Sequence, residues 1–198
     1  MYNRDWLRAQ IASYLHDSSV IDHLDNWIDI GAKRVSQVLQ CKEMMGELAR
    51  SQGASDDFIE LDTTTRHVLG VQWQDRQGRY INLESVPRHE AMYYKRTGTP
   101  SVYTIEQRKI YPLPFADGNY KVQVMQEVII PSDGQAQVDA LTAYPFIFLN
   151  AALAEGYDWK QNLEMLARYD NKLGAEVAEV TKNFMNERVG DTPAMRAV

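Results

Sequence analysis

The hydrophobic period of this chain changes twice, and that alternation constrains the fold more than any motif does. Over the first stretch the apolar residues recur at helical spacing. Trp6, Leu7, Ile11, Tyr14 and Leu15 fall roughly on one face, and Asn3 or Asp5 can open the helix. His16-Asp17-Ser18-Ser19 breaks it. Ser18 or Ser19 is expected to cap the next helix, with Asp22 in its first turn where the backbone dipole favours an acid. Leu24, Trp27, Ile28, Val35, Val38, Leu39, Met45 and Leu48 then step at 3.6 spacing until Ser51-Gln52-Gly53. They predict a second, long helix.

In the middle the period shortens to two. Residues 66–73 and 80–83 flank Asp75-Arg76-Gln77-Gly78, which predicts a hairpin in which Gly78 supplies the positive φ. Val102-Tyr103-Thr104-Ile105 and Lys109-Ile110-Tyr111-Pro112-Leu113-Pro114 predict another antiparallel pair. The prolines lack the ladder donor, so residues 109–114 are expected at an edge. Asp117-Gly118 predicts a second hairpin turn, leading into a long strand from Tyr120 to Ile130.

Helical spacing then returns. Tyr144-Pro145 sets a start, and Ile147 to Ala154 is apolar nearly all round, as in a buried helix. Gly156 is expected to stop it. Trp159, Leu163, Leu166, Leu173, Val177, Val180 and Phe184 form a heptad seam, broken once at Asp170, on a predicted helix over 158–187 about 45 Å long. This seam is the expected site of bundle and subunit packing. Gly190-Asp191-Thr192-Pro193 ends the helix and leaves Ala194-Met195-Arg196-Ala197-Val198 as a tail. The expected fold is α+β: a helical bundle of N- and C-terminal helices with an inserted antiparallel β domain. Its expected parts are helices over 1–55, the β insertion over 56–135, helices over 136–189 and an extended tail over 190–198.

Few chemical motifs appear. The four histidines, His16, His23, His67 and His89, lack the spacing that sets two imidazoles on one helical face. Asp22, Asp25 and Asp29 share a face beside His23. They read as a solvated acidic helix start rather than a metal site. Cys41 stands alone, which excludes an internal disulfide, and it reads as a buried structural thiol. Phosphate-cradling glycine loops and the nucleophile-elbow motif are absent. No cofactor and no metal are expected. The alternative to a structural role is a small hydrolase using Glu84, Glu106 and His89 of the insertion. Tyr93-Tyr94-Lys95-Arg96 reads as a β-edge or interface patch, ahead of stacking on nucleic acid. A net charge of −6 argues against a general nucleic-acid binder. No apolar run reaches the length of a membrane span. Asp5 and Trp6 stand where a secretory leader needs apolar residues.

One ordered set of features resembles a known family. Gly98 and Pro100 precede a short strand through Tyr103. Ile110, Pro112 and Pro114 close an apolar strand, Tyr120 opens a long one, and Tyr144-Pro145 opens the alanine-rich helix of Ala151 to Ala154. Upstream, the helix from Leu24 carries Arg34 and Met44 in fitting places. Together these resemble the adaptor proteins of tailed bacteriophages, also called head-to-tail connector, gateway or head-completion proteins. Phe146 departs from the pattern, which has a polar or acidic residue there.

The resemblance implies a non-enzymatic virion protein made in the host cytoplasm. It implies a homo-oligomeric ring, usually of twelve copies, at the neck between the portal and the tail or nozzle. Double-stranded DNA would pass through the ring without sequence-specific binding, and no membrane is involved. The implied portal-docking tail is Gly190, Asp191, Thr192, Pro193, Ala194, Met195, Arg196, Ala197 and Val198. Extended, those residues reach roughly 30 Å. Another neck or tail-completion protein is the nearest alternative within the same class.

Overall fold

Asn3 opens the first helix as the sequence suggests: its side-chain oxygen accepts from the Trp6 amide at 2.9 Å. In the computed structural model, which describes residues 2–52, 57–94, 97–116 and 118–191, this helix, α1, spans Arg4–Leu15. His16 turns left-handed after it. Asp17, not Ser18 or Ser19, caps the following 3-10 turn (Ser18–His23), accepting from the Ser19 amide at 2.9 Å. Helix α2 spans Leu24–Val38. It is shorter than the 3.6 pattern predicts. Met45 and Leu48, the last two residues of that pattern, lie instead in strand β1 (Met45–Gln52). Cys41 therefore sits beyond α2, buried ahead of a 3-10 turn at Lys42–Met44.

The chain divides into two compact units, residues 1–44 with 127–198 and residues 45–126. Among the described residues the second holds seven strands: β1, β2 (Ile59–Glu60), β3 (Thr65–Gln74), β4 (Tyr80–Ser85), β5 (Val102–Glu106), β6 (Lys109–Leu113) and β7 (Gly118–Gln126), with a short helix α3 (Arg88–Ala91). Their order is β1-β7-β3-β4-β5-β6-β2. The β3–β4 hairpin at Asp75–Gly78 forms as the turn residues require, with Gly78 at φ 82°. Two expectations need correction. The insert is not wholly antiparallel: Glu84 and Ser85 pair in parallel with Val102 and Tyr103, because α3 and its flanking loops carry the chain back before β5 begins. Nor do β6 and β7 form a hairpin. β7 pairs with β1 and β3 instead. Gly118 serves a close approach: a Cβ there would stand 2.7 Å from the Trp73 indole nitrogen and 3.2 Å from the Gln74 carbonyl oxygen. Among the described residues the outer side of β6 carries only the two-residue β2, which pairs with Lys109 and Ile110 and not with Pro112. Ile59, Val71, Trp73, Ile110, Tyr120, Val122 and Val124 form the core of this unit.

Strand β7 stops at Gln126, not Ile130. Val128 and Ile130 have left the sheet for the other unit. There the Val128 amide donates to the Ser36 hydroxyl at 2.9 Å, and Arg4 donates to the Ile130 carbonyl at 2.7 Å. Helices α4 (Asp139–Ala143), α5 (Pro145–Trp159) and α6 (Leu163–Asp191) complete this unit. α5 packs against α2 on one side and α6 on the other, and α1 touches both α2 and α5. Gly156 does not stop α5. It lies inside the helix, where a Cβ would meet Leu15 at 3.1 Å and Trp27 at 3.3 Å, so the residue permits a tight crossing.

Candidate interaction site

The single helix expected over 158–187 is two helices. Lys160-Gln161-Asn162 forms an elbow in which Gln161 turns left-handed (φ 55°). The Asn162 side chain then accepts from the Met165 amide at 3.1 Å and caps α6. The seam splits accordingly. Leu173, Val177 and Phe184 are buried, with Leu166 and Val180 half-buried beside them. Tyr169, which the heptad reading missed, belongs to the same stripe and stacks on Tyr157 at 5.3 Å. A helical wheel centred on Leu173 would have found it four residues upstream. Trp159 belongs to α5, half-exposed, and Leu163 is 73% exposed at the start of α6. Neither lies in the buried stripe, because the elbow resets the helical phase.

At that elbow several side chains meet. The Trp159 ring lies 4.9 Å from His23 and 5.8 Å from Trp27. Lys160 donates to the Leu15 carbonyl at 3.3 Å and pairs with Asp17 at 2.9 Å. The Lys160 bond, followed by the Ser19 donors, holds the Asp17 carboxyl well below its usual range. Ile21, 62% exposed, lies in the 3-10 turn two residues before His23. Tyr14, half-exposed, lies next to Leu15.

At its other end α6 runs on through Gly190 and Asp191. The tail therefore does not become extended at Gly190. Thr192, Pro193, Ala194, Met195, Arg196, Ala197 and Val198 lie outside the described residues.

The acidic cluster of α2 is engaged by arginines. Arg4, almost wholly buried, pairs with Asp25 and Asp29 at 2.8 Å each, and Arg8 bonds Asp25 and Asp5 at 2.8 and 2.7 Å. Arg8, helped by Arg4 and opposed by partial burial, lowers the Asp25 carboxyl to about 2. Among the described residues no group of His, Cys, Asp and Glu is placed to hold a metal ion. Arg34 ties the three main helices together, reaching Glu155 at 3.4 Å and Asp170 at 3.0 Å. Burial, with Glu43 nearby, pushes the Cys41 thiol up to about 12, which suits a core group rather than a nucleophile. Tyr144 is raised to about 12 by burial and then by Glu43.

The hydrolase residues sit on three elements, Glu84 on β4, His89 on α3 and Glu106 on β5. Glu84 and His89 are exposed, and Glu106 is tied to Arg88 by an ion pair. A cleft of about 730 Å³ in the same unit is lined by Trp73, Arg76, Arg79, Ile81 and Thr99 among others, and includes none of the three. Tyr93 is 84% exposed in the turn after α3 rather than on a strand edge. Its neighbours Lys95 and Arg96 lie outside the described residues. Phe146, at the position that departs from the family pattern, is half-exposed and meets Trp6 edge-on at 6.2 Å. Among the described residues no helix is long and apolar enough to cross a membrane.

Against known families, the model described as SU10 adaptor protein matches residues 2–196. No curated protein matches the chain.

Proposed function

The chain belongs to the SU10 adaptor protein family, a family of bacteriophage adaptors, and from that membership we propose that its copies form a ring between the portal and the tail of a tailed phage. The observation that carries this reading is the extent of the family match, which takes in both the helical unit and the β insert. The protein acts as a structural part of the virion neck, made in the host cytoplasm and assembled there with portal and tail or nozzle proteins. A ring of twelve copies, each at −6, carries roughly −72 in total. With those acids towards the lumen, the ring repels DNA phosphates and lets the duplex slide.

The helices suit such a part. α5 packs against α1, α2 and α6, and among its described side chains α6 buries one stripe. Its remaining faces are open to copies of the chain. The residues after α6 dock on the portal. From Thr192 they number seven and reach at most about 24 Å.

Deleting residues 192–198 removes no described residue of α6 and tests the docking. The shortened chain is expected to fold with unchanged helix content and to be missing beneath the portal in particle images. DNA-retaining virions with normal occupancy by the shortened chain would overturn the docking. A lumen lined with Lys and Arg in the assembled particle would overturn the acidic channel.

A further inference from the structure

The elbow between α5 and α6 bends a stretch whose sequence runs straight through. From Trp159 to Leu163, Leu166 and on to Leu173 and Phe184 the apolar residues keep one heptad phase, interrupted only at Asp170. Lys160-Gln161-Asn162 holds neither glycine nor proline, so nothing local forbids a continuous helix there. The bend instead puts Gln161 in the left-handed region at φ 55°, which a residue with a side chain enters at a cost. It also leaves Trp159 49% and Leu163 73% exposed, out of line with the stripe they match in spacing. Local preference and observed shape disagree at this joint.

Two sets of contacts hold the bent form. At the elbow, Lys160 pairs with Asp17 at 2.9 Å and donates to the Leu15 carbonyl at 3.3 Å, and the Asn162 amide donates to the Tyr157 carbonyl at 3.0 Å. Along the helices, α6 lies antiparallel on α5: Tyr169 stacks on Tyr157 near the elbow, and Glu176 accepts from Asn150 at 3.1 Å farther on. Asp170 pairs with Arg34 of α2 at 3.0 Å. The second set is indifferent to which copy supplies α6. A second copy carries the same side chains and makes the same bonds, so only the elbow contacts separate the two arrangements.

We infer that α6 is an exchangeable arm: the elbow straightens, α5 and α6 join into one helix from Pro145 to Asp191, and α6 packs on α2 and α5 of a second copy through the contacts it makes here within one chain. The joined helix is about 70 Å long and cannot fold back on its own α5. Straightening releases the left-handed Gln161 and lets the amides of Leu163 and Glu164 bond to the carbonyls of Trp159 and Lys160. It brings Trp159 and Leu163 into phase with Leu173, which gives the two hinge segments an apolar seam to share. What it gives up at Lys160 is an ion pair between two partly exposed side chains, a weak contact to lose. A three-residue hinge under strain is the setting in which such exchange occurs. The step deepens the ring reading above by naming what one copy takes from the next, and rests on it for that setting alone.

Residue 161 is exposed and sets the balance. Gln161→Gly removes the left-handed penalty and favours the elbow. Gln161→Val is β-branched, strained in that region and still compatible with a helix. Each hinge is built into two full-length chains of different mass, one carrying Arg34→Cys and the other Asp170→Cys. The purified pair is mixed at high concentration and treated with a short bismaleimide. Cys41 is buried and does not compete. A product joining the two masses reports α6 of one copy lying on α2 of the other. Its yield, at unchanged helix content, is expected to be about ten-fold lower with Gln161→Gly than with the native hinge, and higher than native with Gln161→Val. Yields that do not depend on residue 161 would overturn the exchange, as would no joined product from the native and Gln161→Val hinges. If the valine hinge fails to fold, the native-to-glycine ratio decides alone. The mixture contains neither portal nor tail, so failure here leaves the ring reading standing. Absence of the chain from the head-to-tail junction in particle images would overturn that reading instead.

Discussion

α5 and α6 follow one another along the chain with an elbow of three residues between them. Eleven of the fifteen residues of α5 are buried, on every side of the helix. Among the described side chains of α6, only Tyr169, Leu173, Val177 and Phe184 are buried. The two helices therefore do different work. α5 is a central post whose small residues let neighbours approach closely, as where Gly31 of α2 would place a Cβ 2.9 Å from the Ala152 amide nitrogen. α6 needs only one stripe to hold its place. Beside that stripe Asp170, Glu176 and Thr181 hold Arg34, Asn150 and Gln40, and most of the other described side chains of α6 are exposed. Mutations in α5 should thus unfold the protein, and mutations on the outer faces of α6 should leave it folded and disturb assembly.

The sharpest break of that contrast is at Phe148, which is 1% exposed. Phe148→Ala is expected to destabilise the chain by about 4 kcal/mol in urea unfolding, through lost burial and the cavity left behind. A loss under about 1 kcal/mol would mean that α5 is not the post. Next comes a pair on α6 itself. Leu173→Ala is expected to cost about 3 kcal/mol and Leu163→Ala less than about 0.5 kcal/mol, although both are leucines of one apparent heptad seam. Equal effects would restore the seam as one continuous packing surface. Gly31→Ala sharpens the α2–α5 contact. Alanine recovers about 1 kcal/mol of helix propensity. The new methyl meets backbone that cannot rotate away, so the net loss is expected at about 1–2 kcal/mol. A stabilised variant would show that the two helices can part.

The features read correctly from the sequence were those set by nearby residues. Pro145 at a helix start, an all-apolar α5, the Asp75–Gly78 turn and the Asn3 cap each depend on a few neighbours in the chain. The errors fell where distant partners decide. Met45–Gln52 keeps a helical spacing at Met45 and Leu48, yet β7 is there to pair with it, residue for residue from Met45 with Met125 to Gln52 with Gly118. Gly156 and Gly118 look like punctuation in the sequence, and both are close approaches to side chains remote from them in the chain. The elbow at Lys160-Gln161-Asn162 contains neither glycine nor proline, so nothing in the heptad count signals it. Trp159 and Leu163, on either side of it, are visible in the sequence as apolar residues, and both lie outside the buried stripe. The tail rests on family likeness alone, since neither period nor packing bears on residues 192–198.

The smallest effect separates the two ends of the helical unit by charge. At the elbow, Asp22, Asp158 and Glu164 have no ion-pair partner among the described residues. At the start of α1, Asp25 is held by Arg8 and Arg4 and lowered from 3.8 to about 2. A carboxyl whose folded value is depressed stabilises the fold above its unfolded value and loses that contribution as pH falls through the folded one. The Asp25 contribution is therefore complete above about pH 4 and fades towards pH 2. Its side chain is half-exposed, so water screens the pair and the contribution stays below about 1 kcal/mol. Asp25→Asn is expected to lower stability slightly at pH 6 and to flatten the decline between pH 4 and pH 2 in urea titrations. Asp158→Asn, at a carboxylate with no ion-pair partner among the described residues, is expected to leave stability at pH 6 unchanged. An equal loss at pH 6 for the two variants would mean that the arginine cluster adds nothing, and that the distinction between a satisfied acidic end and an unsatisfied one does not hold.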